Sequence, residues 1–151
     1  SFRSINTVGI LDGTTHRFKW LSSGATLRQH SPRFYRQGVL VLDNLGGPRS
    51  TGGSRLVHIP FAGEQPSTVF PRADSLLPVP FETETAGHID LHPDGRRALI
   101  AVTHQNSVWE VDLVTGSVLW EYRYVHPIYT AKYCRGGDFV DELKAERSSG
   151  I

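Results

Sequence analysis

Two short words in this 151-residue chain put a histidine in matching surroundings: Arg28-Gln29-His30-Ser31-Pro32 and Ala86-Gly87-His88-Ile89-Asp90. Imidazole has an ordinary pKa of about 6.5, so a neutral nitrogen and its protonated form are both accessible near neutral pH. Such a ring can attack an electrophile or move a proton. Arg28 stands two residues before His30, and residues two apart on a strand project to the same face. A guanidinium there offers its fork to an oxyanion forming at the ring. Arg33 falls on the opposite parity and is the weaker partner.

The elements that must hold these residues repeat. After His30 come Gln37-Gly38, an apolar run from Val39 to Leu42, a Gly-rich loop, and Ser54 to Ile59. After His88 come Asp94-Gly95, an apolar run from Ala98 to Val102, a short loop, and Ser107 to Val111. Repeats of this length built from short strands are the signature of β-propeller blades. A second marker agrees. Asp12, Thr15 and Trp20 have the spacing of Asp112, Thr115 and Trp120. Asp bonds nearby backbone in a tight turn, and the Trp that follows packs a large apolar face on the next sheet.

The sequence therefore reads as all-β, a partial β-propeller of about two and a half four-stranded blades. Residues 1–127 carry the blades: the outer half of one over 6–21, a second over 28–70 and a third over 86–124. Residues 128–151 form a C-terminal extension in which 139–147 reads as a short helix. Closed propellers have at least four blades. The expectation is thus a part of a larger propeller, its sheets covered by the remaining blades or by another protein chain.

Composition excludes several function classes. Net charge is +1 with both signs interspersed, so no basic stripe marks a nucleic-acid partner. No apolar run is long enough for a transmembrane helix, and the opening Ser-Phe-Arg-Ser has no signal-peptide pattern. The single Cys134 leaves no internal disulfide. No histidines form a close pair with metal-ligand spacing, so no metal is expected. The Gly46-Gly47 and Gly52-Gly53 pairs lack the strand–helix context and lysine of a phosphate loop. No cofactor is expected. His16, His58, His92 and His126 read as surface or packing residues, His104-Gln105-Asn106 as a turn, and Asp43-Asn44 as a local strand cap.

One combination is more specific. Gln29-His30-Ser31-Pro32, then Val39 to Leu42 ending in Asp43-Asn44, then Ser54-Arg55, resembles the arylsulfotransferase family. Trp109-Glu110-Val111-Asp112 and Val118-Leu119-Trp120-Glu121-Tyr122 also look like its terminal blades, and the likeness runs over roughly residues 5 to 127. The resemblance implies a six-bladed propeller with its active site in the central funnel. It implies transfer of a sulfuryl group from a phenolic sulfate ester donor to a phenol acceptor, and a periplasmic or secreted location. It makes His30 the residue that is transiently sulfated. Arg28 is then expected to contact the sulfuryl oxygens. His88, at the equivalent position of the neighbouring blade, is expected to protonate the departing phenolate. The family's early His-Asp-x-Gln does not occur here, and the letters His-x-Asn-Ser occur only late, as His104-Gln105-Asn106-Ser107 with no Arg directly after them. This chain alone is then expected to be inactive.

Two other readings stand beside that one. A non-catalytic interaction module would keep the blades without the chemistry, since fold alone does not dictate function. A quinoprotein-type propeller is suggested only by the Trp words and lacks a cofactor-binding set.

Overall fold

The structure is a computed structural model and describes residues 1–134. The helix expected over 139–147 lies outside the described residues. Among the described residues ten strands run in sequence: β1 (Thr7–Leu11), β2 (Phe18–Ser23), β3 (His30–Tyr35), β4 (Gly38–Asp43), β5 (Arg55–Pro60), β6 (Ser67–Phe70), β7 (His88–Leu91), β8 (Arg97–Val102), β9 (Ser107–Asp112) and β10 (Ser117–Arg123). β4, β5, β8 and β9 fall within one residue of the runs Val39 to Leu42, Ser54 to Ile59, Ala98 to Val102 and Ser107 to Val111. The architecture is all-β, in three antiparallel sheets: the pair β1–β2, the meander β3-β4-β5-β6 and the meander β7-β8-β9-β10.

The turns form as their residue types dictate. Asp12 accepts from the Thr14 and Thr15 amides at 2.8 and 2.9 Å. Asp112 does the same with Val114 and Thr115 at 2.8 and 3.0 Å. The two Asp-x-x-Thr words thus build one kind of turn in two sheets, a carboxylate holding consecutive amides.

Alternation then sets the layers. On the second sheet, Leu40, Leu42 and Leu56 face one way, and Val39, Val41, Val57 and Ile59 the other. The valine–isoleucine face packs on Val8 and Trp20 of the first sheet. The leucine face packs on Ile89, Ala98, Ile100, Trp109 and Val111 of the third. The second sheet is therefore sandwiched, and every residue of β4 is buried. Fully burying each of its valine and leucine side chains contributes roughly 1.5–3 kcal/mol. Phe70, Phe81 and Trp109 form an aromatic group between the sheets, with ring centroids 5.4 to 6.4 Å apart. The Trp109 indole N–H donates to Glu121 at 3.1 Å, so its burial strands no donor.

The sheets are also tied at the strands that begin them. Ser31 Oγ accepts from the Ile89 amide at 2.9 Å and donates to the Ile89 carbonyl at 3.4 Å, linking β3 to β7. Gln29, fully buried, donates to the Thr7 carbonyl at 2.9 Å and accepts from Thr26 Oγ1 at 3.0 Å, linking the first sheet to the second. The glutamine of the Gln-His word is thus a strut beneath the histidine.

Candidate functional site

His30 and His88 each open the first strand of a four-stranded sheet. Their cross-strand partners are Leu42 and Ala101, which hold equivalent places in β4 and β8. The repeat therefore carries both rings to one edge of the assembly, where β3 and β7 lie side by side.

His30 is partly buried, and its Nδ1 lies 2.6 Å from Asn44 Oδ1. Asn44 is itself buried, and its side-chain nitrogen donates to the Ala86 carbonyl at 2.8 Å and to the Thr83 carbonyl. Carbonyls only accept, so these two bonds fix which end of the amide faces the histidine. The end that faces it is the oxygen. His30 Nδ1 must then carry the proton, and the neutral ring keeps its lone pair on Nε2. That is the protonation pattern a nucleophilic imidazole needs.

Arg33, not Arg28, accompanies these rings. His30 pairs with Leu42 and Arg33 with Leu40, so three steps along β3 match two along β4. The extra residue is a β-bulge, with Ser31 at φ +50°. It reverses the parity beyond it and brings Arg33 onto the face of His30. Arg33 Nη2 reaches His88 Nε2 at 2.6 Å. A guanidinium only donates, so Nε2 accepts; His88 Nδ1 therefore carries the proton and donates to the Ala131 carbonyl at 3.1 Å. Burial and then the Arg33 charge hold the His88 pKa below its ordinary value. The ring is neutral near pH 7, with both nitrogens engaged. The general-acid role expected of His88 lacks an available proton in this arrangement; its ring instead positions Arg33.

The parity argument for Arg28 fails for a local reason. The residue precedes β3, has φ +54° and is exposed. Its amide donates to Asn6 Oδ1 at 2.9 Å, and among the described residues its guanidinium makes no hydrogen bond or ion pair. Its side chain lines a surface cleft with Arg3, Ser4, Asn6, Leu27 and Leu45.

Asn44 is the residue of this candidate site that the sequence alone does not single out, because a strand-end Asx reads as a local cap. The signal was present in the words of the family resemblance, because their members are mutual partners. Asp43, fully buried, pairs with Arg55 at 2.8 Å and accepts from the Leu27 and Gly46 amides at 2.8 and 3.0 Å. Ser54 Oγ donates to the Asn44 carbonyl at 2.9 Å and accepts from the Thr83 amide at 2.9 Å. Asp-Asn and Ser-Arg thus form one crossed scaffold that holds the amide against His30. His104 lies at a turn as read: its Nδ1 accepts from the Glu84 amide at 2.9 Å.

Among the described residues, no group of three or more His, Cys, Asp or Glu side chains is placed to share a metal ion. No helix there is long and apolar enough to cross a membrane. No family model matches the chain, and no curated protein matches it significantly.

Proposed function

We propose that this chain is part of an arylsulfotransferase-like β-propeller in which His30 carries a sulfuryl group from a phenolic sulfate ester to a phenol. The observation that carries the proposal is the lock on His30, with Nδ1–H on a buried amide oxygen whose orientation two carbonyls dictate. In the first half-reaction the Nε2 lone pair forms an N–S bond while the aryl S–O bond breaks, and the phenolate leaves with the electron pair. In the second a phenol oxygen attacks sulfur, the N–S bond breaks, and the phenolic proton passes to solvent. The route gives ping-pong kinetics and needs no cofactor. Arg33 is the cation on the same face and supplies charge to the sulfuryl oxygens. Asn44 keeps the growing positive charge on the ring opposite a carbonyl oxygen.

The propeller part rests on one packing rule applied twice. The leucine face of the second sheet meets the third as Trp20 of the first meets the second. Trp120, at the position equivalent to Trp20, remains 51% exposed on the far face of the third sheet. Residues 131–133 run beside β7 much as β7 runs beside β3, with the Tyr133 amide donating to Asp90 at 2.8 Å. A propeller of the family's kind needs further blades to close, and its compartment on this reading is periplasmic or extracellular.

The test is turnover of an aryl sulfate donor with a phenol acceptor by the protein as its host expresses it. The His30→Ala variant is expected to lose transfer and the trapped sulfo-histidine. Unchanged turnover in that variant removes His30 as nucleophile. Absence of turnover in the unaltered protein favours the second reading, a non-catalytic interaction module. That reading is supported by the exposed apolar ladder Trp120, Tyr122 and Tyr124 along and just beyond β10.

A further inference from the structure

At the opposite end of β3 from His30, the second and third sheets part around a cavity of about 740 Å³. Tyr35 and His58 line one side; Val69, Pro71 and Leu113 supply apolar wall. Two polar atoms there are buried without a hydrogen-bond partner among the described residues, Tyr35 Oη and His58 Nε2. Tyr35 is only 4% exposed. A buried hydroxyl left unpaired is costly and calls for something to satisfy it. The sequence keeps room for the imidazole: a Cβ on Gly38 would strike His58 Nε2 and the backbone of Ile59 and Pro60. The two rings meet edge to face, with centroids 5.6 Å apart.

The mouth is cationic. Arg36 lines it, is exposed, and holds its guanidinium 5.1 Å from the centre of the Tyr35 ring. Its side chain makes no ion pair or hydrogen bond among the described residues. Arg72 is committed elsewhere, to Asp74 at 3.3 Å and to the Val114 carbonyl at 2.9 Å. The linker of Arg72 and Ser75 is clamped on the β9–β10 turn, Ser75 Oγ donating to the Gly116 carbonyl at 2.6 Å. The wall is therefore fixed, and one uncommitted cation stands beside one unsatisfied hydroxyl.

We infer that this cavity is a binding site for a small organic carboxylate with an apolar body, separate from the His30 centre. Arg36 takes the carboxylate fork, the Tyr35 hydroxyl donates a second bond to it, and the apolar body lies against Val69, Pro71 and Leu113. The proposal does not depend on sulfuryl transfer.

Benzoate is the probe, because it has the carboxylate and the apolar ring but no phenolic oxygen to accept a sulfuryl group. It is titrated into isotope-labelled protein while the Val69 and Leu113 amide signals are followed. Saturable shifts in the millimolar range are expected. Arg36→Gln is expected to weaken binding about tenfold or more, as for a lost hydrogen bond to a charged group. Tyr35→Phe, which keeps the ring and the fold, is expected to weaken it severalfold. His30→Ala is expected to leave it unchanged. Absence of saturable shifts, or equal affinity in the Tyr35→Phe and Arg36→Gln variants, overturns the proposal and leaves a water-filled cavity only.

Discussion

Arg33 and His88 meet at 2.6 Å across the boundary between two sheets, a cation donating to a neutral ring. Burial and that charge both disfavour the imidazolium. His88 is therefore expected to titrate below the ordinary value of about 6.5. Replacing Arg33 by Gln should move it upward. Imidazole shifts followed by NMR across a pH series check both. The sign for stability follows by linkage. The unfolded chain takes up the proton first on acidification, so the contribution is full above about pH 6.5 and is lost as pH falls toward the folded value. His58 is shifted in the same direction, by burial first and then by Arg36. His88→Asn should therefore reduce the acid loss of thermal stability without abolishing it.

Asn44→Ala removes the acceptor for His30 and strands the Thr83 carbonyl, while the Ala86 carbonyl keeps only its bond from Thr83 Oγ1 at 2.7 Å. The expected cost is about 2 kcal/mol or more, the penalty for unpaired buried polar groups. Ring nitrogen shifts should show a single Nδ1–H tautomer of His30 in the unaltered protein and a mixture in the variant. Asn44→Asp separates position from charge. A carboxylate still accepts from Nδ1 but faces two carbonyls with like charge, so the fold weakens while Nδ1 keeps its acceptor. A tautomer unaffected by either change would remove Asn44 as the positioning residue.

Much of this was legible in the chain, and the failures have local causes. The strands were readable because Leu40 and Leu42 alternate with Val39 and Val41, giving a sheet buried on both faces. The repeat was readable because Asp12 and Asp112 build the same turn. Arg33 was misjudged because strand parity counts residues, and the bulge at Ser31 inserts one. The warning was Pro32, since proline within a strand is confined to edges and bulges. Arg28 was overrated by the same counting, which does not extend past the first residue of β3. Asn44 was underrated because a strand-end Asx explains itself locally; its partners, His30, Thr83 and Ala86, come from three separate stretches of chain.

Asp43 and Arg55 make the strongest purely structural demand. The carboxylate is fully buried, with Arg55 at 2.8 Å and two amides on its other oxygen. Asp43→Ala leaves Arg55 Nε and the Leu27 and Gly46 amides without their acceptor. Breaking a buried pair from one side costs about 3–5 kcal/mol, against about 5–15 kcal/mol for a whole domain. Urea unfolding should show a midpoint shifted far down or lost. A shift no larger than that of an exposed pair such as Arg123–Glu121 would mean that the carboxylate is hydrated in solution.

Gly87 joins both histidines through their strand partners. Its φ is +124°, and a Cβ there would run into the Leu42 side chain and approach the Ala101 carbonyl at 3.0 Å. Leu42 pairs with His30 and Ala101 with His88, so Gly87→Ala pushes on both rings at once. Gly95 is the control: its φ is +65° with open space around it, so Gly95→Ala bears backbone strain alone, about 1–2 kcal/mol. Gly87→Ala should cost measurably more and also perturb the His30 tautomer signal, which Gly95→Ala leaves intact. Equal costs would mean that Leu42 swings aside freely, and the coupling between the two sheet edges would then rest on the Ser31–Ile89 and Arg33–His88 bonds.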